Sequence, residues 1–471
     1  MQYLSTRGQA RQLAFDDVLL NGLAFDGGLY VPSSWPQFSE REQRQLARLD
    51  YASLALEIFR PFVGSTIPEA ELERMVRETY QVFQHRAVAP LRQLENRLWM
   101  MELFHGPTLA FKDYALQLVG RLFEYVLNQR GEQVTIAGAT SGDTGSAAIE
   151  ASRGRARMEL FILHPKGRVS EVQRRQMTSV LDKNIHNIAL EGTFDDCQDQ
   201  VKALFNDRAF RDEVNLSAVN SINWARVMAQ IAYYFWAALS LGAPDRAIGF
   251  AVPTGNFGNI YAGFVAKKMG LNISKLIVGS NSNDILTRFF ANGTMKMADV
   301  VPTYSPSMDI QISSNFERLL FDQLDRDGEA VKDLLQTFRS KGCYSLPSQM
   351  LEALKREFSA YRFDDEQTLN EVKRHYDATG ELLDPHSAIG VAAARLASEE
   401  VDGPLVALAT AHPAKFPEAV EKATGKRPAL PEHLADLFDR KERCHVLADD
   451  TELLKAYIRK HRGGDPERPV S

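Results

Sequence analysis

The chain reads as an α/β protein whose parallel, twisted sheets carry helices on both faces. Three observations predict it. Short unbroken apolar runs alternate with helical stretches from Leu98 onward, the signature of strands buried on both faces. Two of those runs end in Gly-rich turns that open a helix. Residues 1 to about 90 lack the alternation and read as mostly helical and polar-faced.

In chain order, the N-terminal part holds a tight turn, "DGGLYVP" (Asp26 to Pro32), and the helix "EAELERMVRETYQVF". "RLWMMELF" is the first long strand. "VTIAGA" (Val134 to Ala139) follows, running through a Gly-rich turn into the helix "TGSAAIEASR". "MELFILHP" (Met158 to Pro165), "NIHNIAL", "AIGFAV" (Ala247 to Val252), "KLIVGS" and "LVALAT" (Leu405 to Thr410) obey the same rule. Connections in such sheets are right-handed, and ligands sit beyond the carboxyl ends of the strands. The tail "HRGGDPERPVS" reads as frayed.

At 471 residues the chain is too long for one core, so two or three domains are expected. A net charge of −6, with both signs interspersed, opposes a nucleic-acid or membrane-surface footprint. Cys197, Cys343 and Cys444 are too scattered for a disulfide framework or a thiolate metal site. They fit a reducing compartment. The opening "MQYLSTRGQARQLAF" has no signal-peptide core and no run would span a bilayer, so a cytoplasmic protein is expected. HExxH, paired Cys and Gly-x-Ser-x-Gly are all missing, which removes zinc-protease and α/β-hydrolase readings, and no metal is expected.

The chemistry concentrates in five segments. "TSGDTGSAA" (Thr140 to Ala148) and "PTGNFGNIYAG" (Pro253 to Gly263) each lie between a strand and a helix. Backbone N–H groups at such a helix start bind anions. Glycine allows the close approach and positive φ that this needs. Taken singly, either turn is an ordinary helix start; two at equivalent places in a sheet point to a ligand. Neither matches the dinucleotide fingerprint or the Walker loop. "HGPTLAFKDYALQL" sets Lys112 after the apolar Leu109, Ala110 and Phe111, ahead of a helix that Asp113 is placed to cap. A lysine held away from water favours its neutral, nucleophilic amine. "NSINWARVMAQ" gathers Asn220, Ser221 and Arg226 where a loop enters a helix, a set suited to a phosphate dianion. In "LVALATAHPAKF", Thr410 ends a strand, where its hydroxyl meets a ring nitrogen or simply caps the turn. His386 and His412, beside prolines, read as structural.

Together these segments resemble the threonine synthases, pyridoxal-phosphate enzymes of the tryptophan-synthase-β type (fold type II). "HGPTLAFKDYALQ" is similar to that family's cofactor-lysine motif, "GATSGDTGSAA" to its substrate loop, "NSINWAR" to its phosphate-binding segment and "PTGNFGN" to its cofactor-phosphate loop. "DGGLYVP" resembles the family's opening, and the likeness runs to "TAHPAKF". It implies an N-terminal domain over 1–95, a two-lobed catalytic core over 96–430 with a smaller lobe at roughly 115–215, and a C-terminal extension over 431–471.

By the same resemblance Lys112 links covalently to pyridoxal 5'-phosphate beside Phe111. Gly255, Asn256, Phe257, Gly258 and Asn259 hold the cofactor's phosphate, and Thr410 faces its pyridine nitrogen. Thr140, Ser141, Asp143 and Thr144 receive the substrate carboxylate, with Asp143 also near the cofactor. Relatives often carry Asn where Asp143 stands. Asn220, Ser221 and Arg226 receive the phosphate of O-phospho-L-homoserine. The implied reaction is β,γ-elimination and replacement, in which water yields L-threonine and phosphate, by a monomer or homodimer. A serine/threonine dehydratase on the same scaffold, or a catalytically silent binder of phosphorylated ligands, are the alternatives. The phosphate-reading set at 220–226 separates the first, and an intact Lys112 the second.

Overall fold

The computed structural model describes residues 1–218 and 221–463. They form two units, one of Met1–Leu19, Leu23–Ala115 and Ser221–Pro428, the other of Leu20–Gly22, Leu116–Asn220 and Ala429–Ser471.

The first unit is built on a six-stranded sheet in the order Phe358–Arg362, Ile273–Ser280, Ile248–Pro253, Leu405–Ala409, Leu98–Glu102, Leu91–Gln93. Neighbours are parallel except the last pair, where Leu91–Gln93 runs antiparallel as an edge. Every residue of Ile248–Pro253 and Leu405–Ala409 is buried, as their unbroken apolar sequences require.

Helix Pro385–Leu396 covers one face, and its small residues let it sit close. A Cβ on Gly390 would lie 3.0 Å from Pro253 Cδ and 3.3 Å from the Leu408 carbonyl oxygen. A Cβ on Gly279 would meet Ile389 at 2.9 Å. Ala388, Val391, Ala392 and Ala393 pack there with Ala251, Ile277 and Ala407. This seating brings the helix's first turn up beside Thr410.

The N-terminal residues are mostly helical, with Phe15–Asn21, Glu40–Leu46, Tyr51–Val63 and Glu69–Gln81. Leu72, Met75, Val76, Thr79 and Tyr80 bury one face of the last of these, at the spacing of an amphipathic helix. A short antiparallel pair, Tyr3–Ser5 with Tyr30–Pro32, adds to them. The Asp26 to Pro32 turn owes its shape to Gly27, at φ +77°, and to the Asp26 carboxylate. That carboxylate accepts from the N–H groups of Gln9, Ala10 and Gly28 and from the Ser5 hydroxyl.

The second unit holds a five-stranded, all-parallel sheet in the order His445–Ala448, Ile185–Glu191, Met158–Pro165, Val134–Ala139, Leu216–Ser217. The C-terminal residues, which carry no sequence motif, supply its edge strand and the helix Thr451–His461. Leu454 and Ile458 of that helix pack against Phe161, Leu190 and Cys197.

Candidate active site

Three adjacent parallel strands of the first unit send their carboxyl ends into the motif segments. Ile248–Pro253 leads into the glycine turn, Leu405–Ala409 into Thr410, and Leu98–Glu102 into the loop before Lys112. This is where ligands bind in open parallel sheets.

Lys112 is the first residue of helix Lys112–Arg130 and is half-buried, its Nζ 5.7 Å from the centroid of the Phe111 ring. The loop before it is stitched to the Thr410 segment. Phe111 N–H donates to the Thr410 carbonyl at 2.9 Å, and His412 N–H donates to Leu109 O at 3.0 Å. Leu109 itself takes φ +63°. Asp113 does not cap the helix as its position predicted. It is the second helical residue, and its carboxylate turns back to accept Thr108 N–H at 2.8 Å and the Thr108 hydroxyl at 2.7 Å. The buried Lys415 ammonium donates to the Thr108 carbonyl at 2.8 Å. Opposite charges thus clamp Thr108, and the clamp fixes the approach to Lys112.

Gly106 makes that clamp possible. An added Cβ would sit 2.5 Å from Asp113 Cβ and Oδ2. Gly106→Ala is therefore expected to lower stability by about 1–3 kcal/mol, since the buried carboxylate must move. Thermal melting checks this, and an unchanged midpoint would contradict it.

The glycine turn departs from expectation in one respect. Its positive φ falls on Phe257 (+63°), not on Gly255 or Gly258. The glycines serve close approach instead: a Cβ on Gly255 would lie 3.3 Å from Met308 Cα, and one on Gly258 would lie 3.1 Å from Asn315 Nδ2. Asn315, which the sequence did not single out, donates from Nδ2 to the carbonyls of Ser221 and Asn256, each at 3.1 Å. Ser221 is thereby placed beside Asn256 and Gly258. The predicted residue Asn220 lies outside the described residues. The cap of helix Trp224–Ser240 is Asn223, whose side chain accepts from Ala225 N–H.

Helix Gly258–Lys268 begins at the turn, and Asn259 is its second residue. The Asn259 Oδ1 accepts from the hydroxyls of Tyr233 (2.7 Å) and Tyr234 (2.9 Å). That fixes the amide so that Nδ2 is its remaining donor, and this nitrogen is buried with no partner among the described residues. On the tyrosines' own helix Arg226 is 4% exposed, and its Nε and Nη1 likewise have no partner among the described residues. Burial pulls its guanidinium down to about 10. Buried donors without acceptors are costly, so these atoms are suited to receive an anion. A helix start, a turn with glycine at 255 and 258, and the unpaired Asn259 donor fit a phosphate-bearing cofactor.

Thr410 is 5% exposed, just past its strand, and its N–H donates to the Ser387 hydroxyl at 2.9 Å. In the second unit, Gly142 takes φ +140° at the turn before helix Asp143–Ser152. The Thr140 hydroxyl accepts the N–H groups of Gly142 (3.0 Å) and Gly145 (2.8 Å), which organises the loop. Asp143 is buried and its Oδ1 accepts from Gln173 Nε2 at 2.9 Å. Ser141 and Thr144 are half-buried. Among the described residues no group of three or more His, Cys, Asp or Glu could hold a metal ion.

Helix Pro385–Leu396, which carries Ser387, is capped by Asp384, whose carboxylate accepts from His386 N–H and Ser387 N–H; of the supporting residues missed from sequence it alone had a signal, Asp before Pro. Tyr233, Tyr234 and Asn315 look like ordinary core and loop positions.

The chain is similar to known proteins along nearly its whole length. Family models match along the chain: threonine synthase N terminus over residues 2–80, pyridoxal-phosphate dependent enzyme over 82–339, and threonine synthase C-terminal over 387–458. A threonine synthase of Pseudomonas aeruginosa is 56% identical over 471 residues, the whole of both chains. The crystal structure of pyridoxal-phosphate-bound threonine synthase from Brucella melitensis superposes with a TM-score of 0.96 at 54% identity, covering 98% of this chain and 100% of that one. The yeast threonine synthase structure gives 0.93 at 39% identity, covering 98% of each. The chain belongs to the threonine synthase family of pyridoxal-phosphate-dependent enzymes.

Proposed function

We propose that Lys112 is the residue that bears the cofactor and moves the protons of the family's reaction. That reaction converts O-phospho-L-homoserine and water to L-threonine and phosphate, the last step of threonine biosynthesis. The observation that carries the assignment is positional. Lys112, Thr410 and the glycine turn leave adjacent strand ends, and the turn is built for a phosphate.

When bound, pyridoxal phosphate supplies a conjugated ring that stores the electron pair released at the substrate's Cα. The remaining work belongs to the chain. The backbone N–H groups at Gly255 to Asn259 and the Asn259 amide would hold the cofactor's phosphate, and Thr410 would offer its ring nitrogen a neutral hydroxyl. Lys112 acts as the general base at Cα and returns protons later. Its place at a helix start supports that role, because a positive charge there is disfavoured. Arg226 and Ser221, with Asn220, receive the substrate's phosphate, which leaves from Cγ before water adds at Cβ. Thr140, Ser141, Asp143 and Thr144 take the substrate's carboxylate; the bond from Gln173 supports an oriented Asp143. A monomer or homodimer belongs to the same proposal, as does the cytoplasm, which three free, scattered cysteines support.

The test is phosphate release from O-phospho-L-homoserine by cofactor-loaded protein, with L-threonine appearing in equal amount. Loaded protein that releases no phosphate but turns serine or threonine into a keto acid and ammonia would establish the dehydratase alternative instead.

A further inference from the structure

We propose that His386 is a positioning residue for the cofactor-phosphate turn, acting through the segment that backs Gly255. The inference rests on the cofactor reading above and goes beyond it.

Asp384 caps helix Pro385–Leu396 and is fully buried. Its Oδ1 lies 2.9 Å from His386 Nδ1 and accepts from His386 N–H. A carboxylate only accepts, so Nδ1 carries the ring proton. The Nε2 lone pair then faces outward, and Ser307 N–H donates to it at 3.2 Å. The imidazole is thus a spacer with a donor at one end and an acceptor at the other, both spoken for. It is 4% exposed and packs against the Phe416 ring, 4.6 Å between centroids.

Ser307 belongs to the short turn Pro306–Met308 that lies directly behind the glycine turn. Its carbonyl oxygen would be 3.4 Å, and Met308 Cα 3.3 Å, from a Cβ placed on Gly255. Further on, the Ser313 hydroxyl donates to Gly255 O at 2.7 Å. Asp309 anchors the segment to the next strand end through Asn281 (2.8 Å) and Asn283 (2.9 Å). Removing the His386 acceptor takes away the bond that holds Ser307 N–H where the segment, through Ser307 O, Met308 Cα and Ile310 Cδ1, closes on Gly255. The same cap holds Thr410 through Ser387, so Asp384 to Ser387 brace two edges of the cofactor site.

Two variants separate this role from mere packing. Asn at 386 keeps a donor for Asp384 but is too short to reach Ser307. Gln keeps an acceptor at the Nε2 position. The measurement is the dissociation constant of pyridoxal 5'-phosphate for stripped protein, with the melting temperature of the stripped form alongside. For His386→Asn the constant is expected to rise about tenfold, the upper end of what one lost hydrogen bond is worth. His386→Gln should stay within about threefold of the parent, because it rescues that bond. Equal affinity of the Asn variant and the parent overturns the inference, as does a Gln variant that loses as much as Asn. Should His386→Asn fail to fold, His386→Gln decides alone, a loss beyond about threefold overturning the idea. A parent protein that takes up no cofactor would defeat the cofactor reading itself.

Discussion

Lys112→Ala is expected to fold normally, to lose the visible absorbance of the lysine-linked cofactor, and to turn over at least about 10³-fold more slowly. The fold should survive because alanine suits the first turn of a helix and Lys112 is only half-buried. Lys415 is the rival, since it lies in the same region and is fully buried. Its geometry argues against it. The Lys415 ammonium donates at 2.8 Å to the carbonyl of Thr108, the residue whose N–H the Asp113 carboxylate accepts. Donating there, it holds the loop. Absorbance spectra of both alanine variants decide between them. Colour retained in Lys112→Ala and lost in Lys415→Ala would reverse the assignment.

The difference between these two lysines shows what the sequence made legible. Lys112 stands in a segment whose neighbours announce a turn, a strand end and a helix start, all local features of order and period. Val134–Ala139, Met158–Pro165, Ile185–Glu191, Ile248–Pro253, Ile273–Ser280 and Leu405–Ala409 were readable for the same reason, because burial leaves an apolar run, whereas the mostly half-buried Phe358–Arg362 was not. The braces behind the site were not. Asn315 bridges Ser221 to Asn256 across about sixty and ninety residues of chain, and the Tyr233 and Tyr234 hydroxyls reach Asn259 from another helix. Such contacts depend on which elements the topology sets side by side, and nothing in the local pattern records that. Asp113 was misread by the same limit: its position looks like a cap, yet Gly106 opens room for its carboxylate to reach Thr108. The strained residue of the glycine turn proved to be Phe257, because tertiary packing of its ring against Phe316 and Phe358 holds a conformation that composition alone would give to glycine.

Arg226→Met should stabilise the cofactor-free protein by about 1–3 kcal/mol while lowering kcat/KM by about 10²- to 10³-fold. Both effects have one cause. The guanidinium is almost wholly buried, and its Nε and Nη1 find no acceptor among the described residues. Burial has drawn its pKa down to about 10, the mark of a charge held where water would be preferred. Methionine fills similar space and carries no such charge, so folding gains what desolvation had cost. Catalysis loses more, because hydrogen bonds to a charged partner are worth about 1.5–3 kcal/mol each and two such donors are removed. Lysine should not restore the rate, having neither the planar fork nor the second fixed donor. The assignment to the substrate's phosphate adds a sharper requirement: KM for O-phospho-L-homoserine should rise while the affinity for pyridoxal 5'-phosphate stays as it was. A variant that binds substrate normally but has lost the cofactor would move Arg226 to the other phosphate, and one that is less stable than its parent without ligands would mean that the buried charge had an acceptor after all.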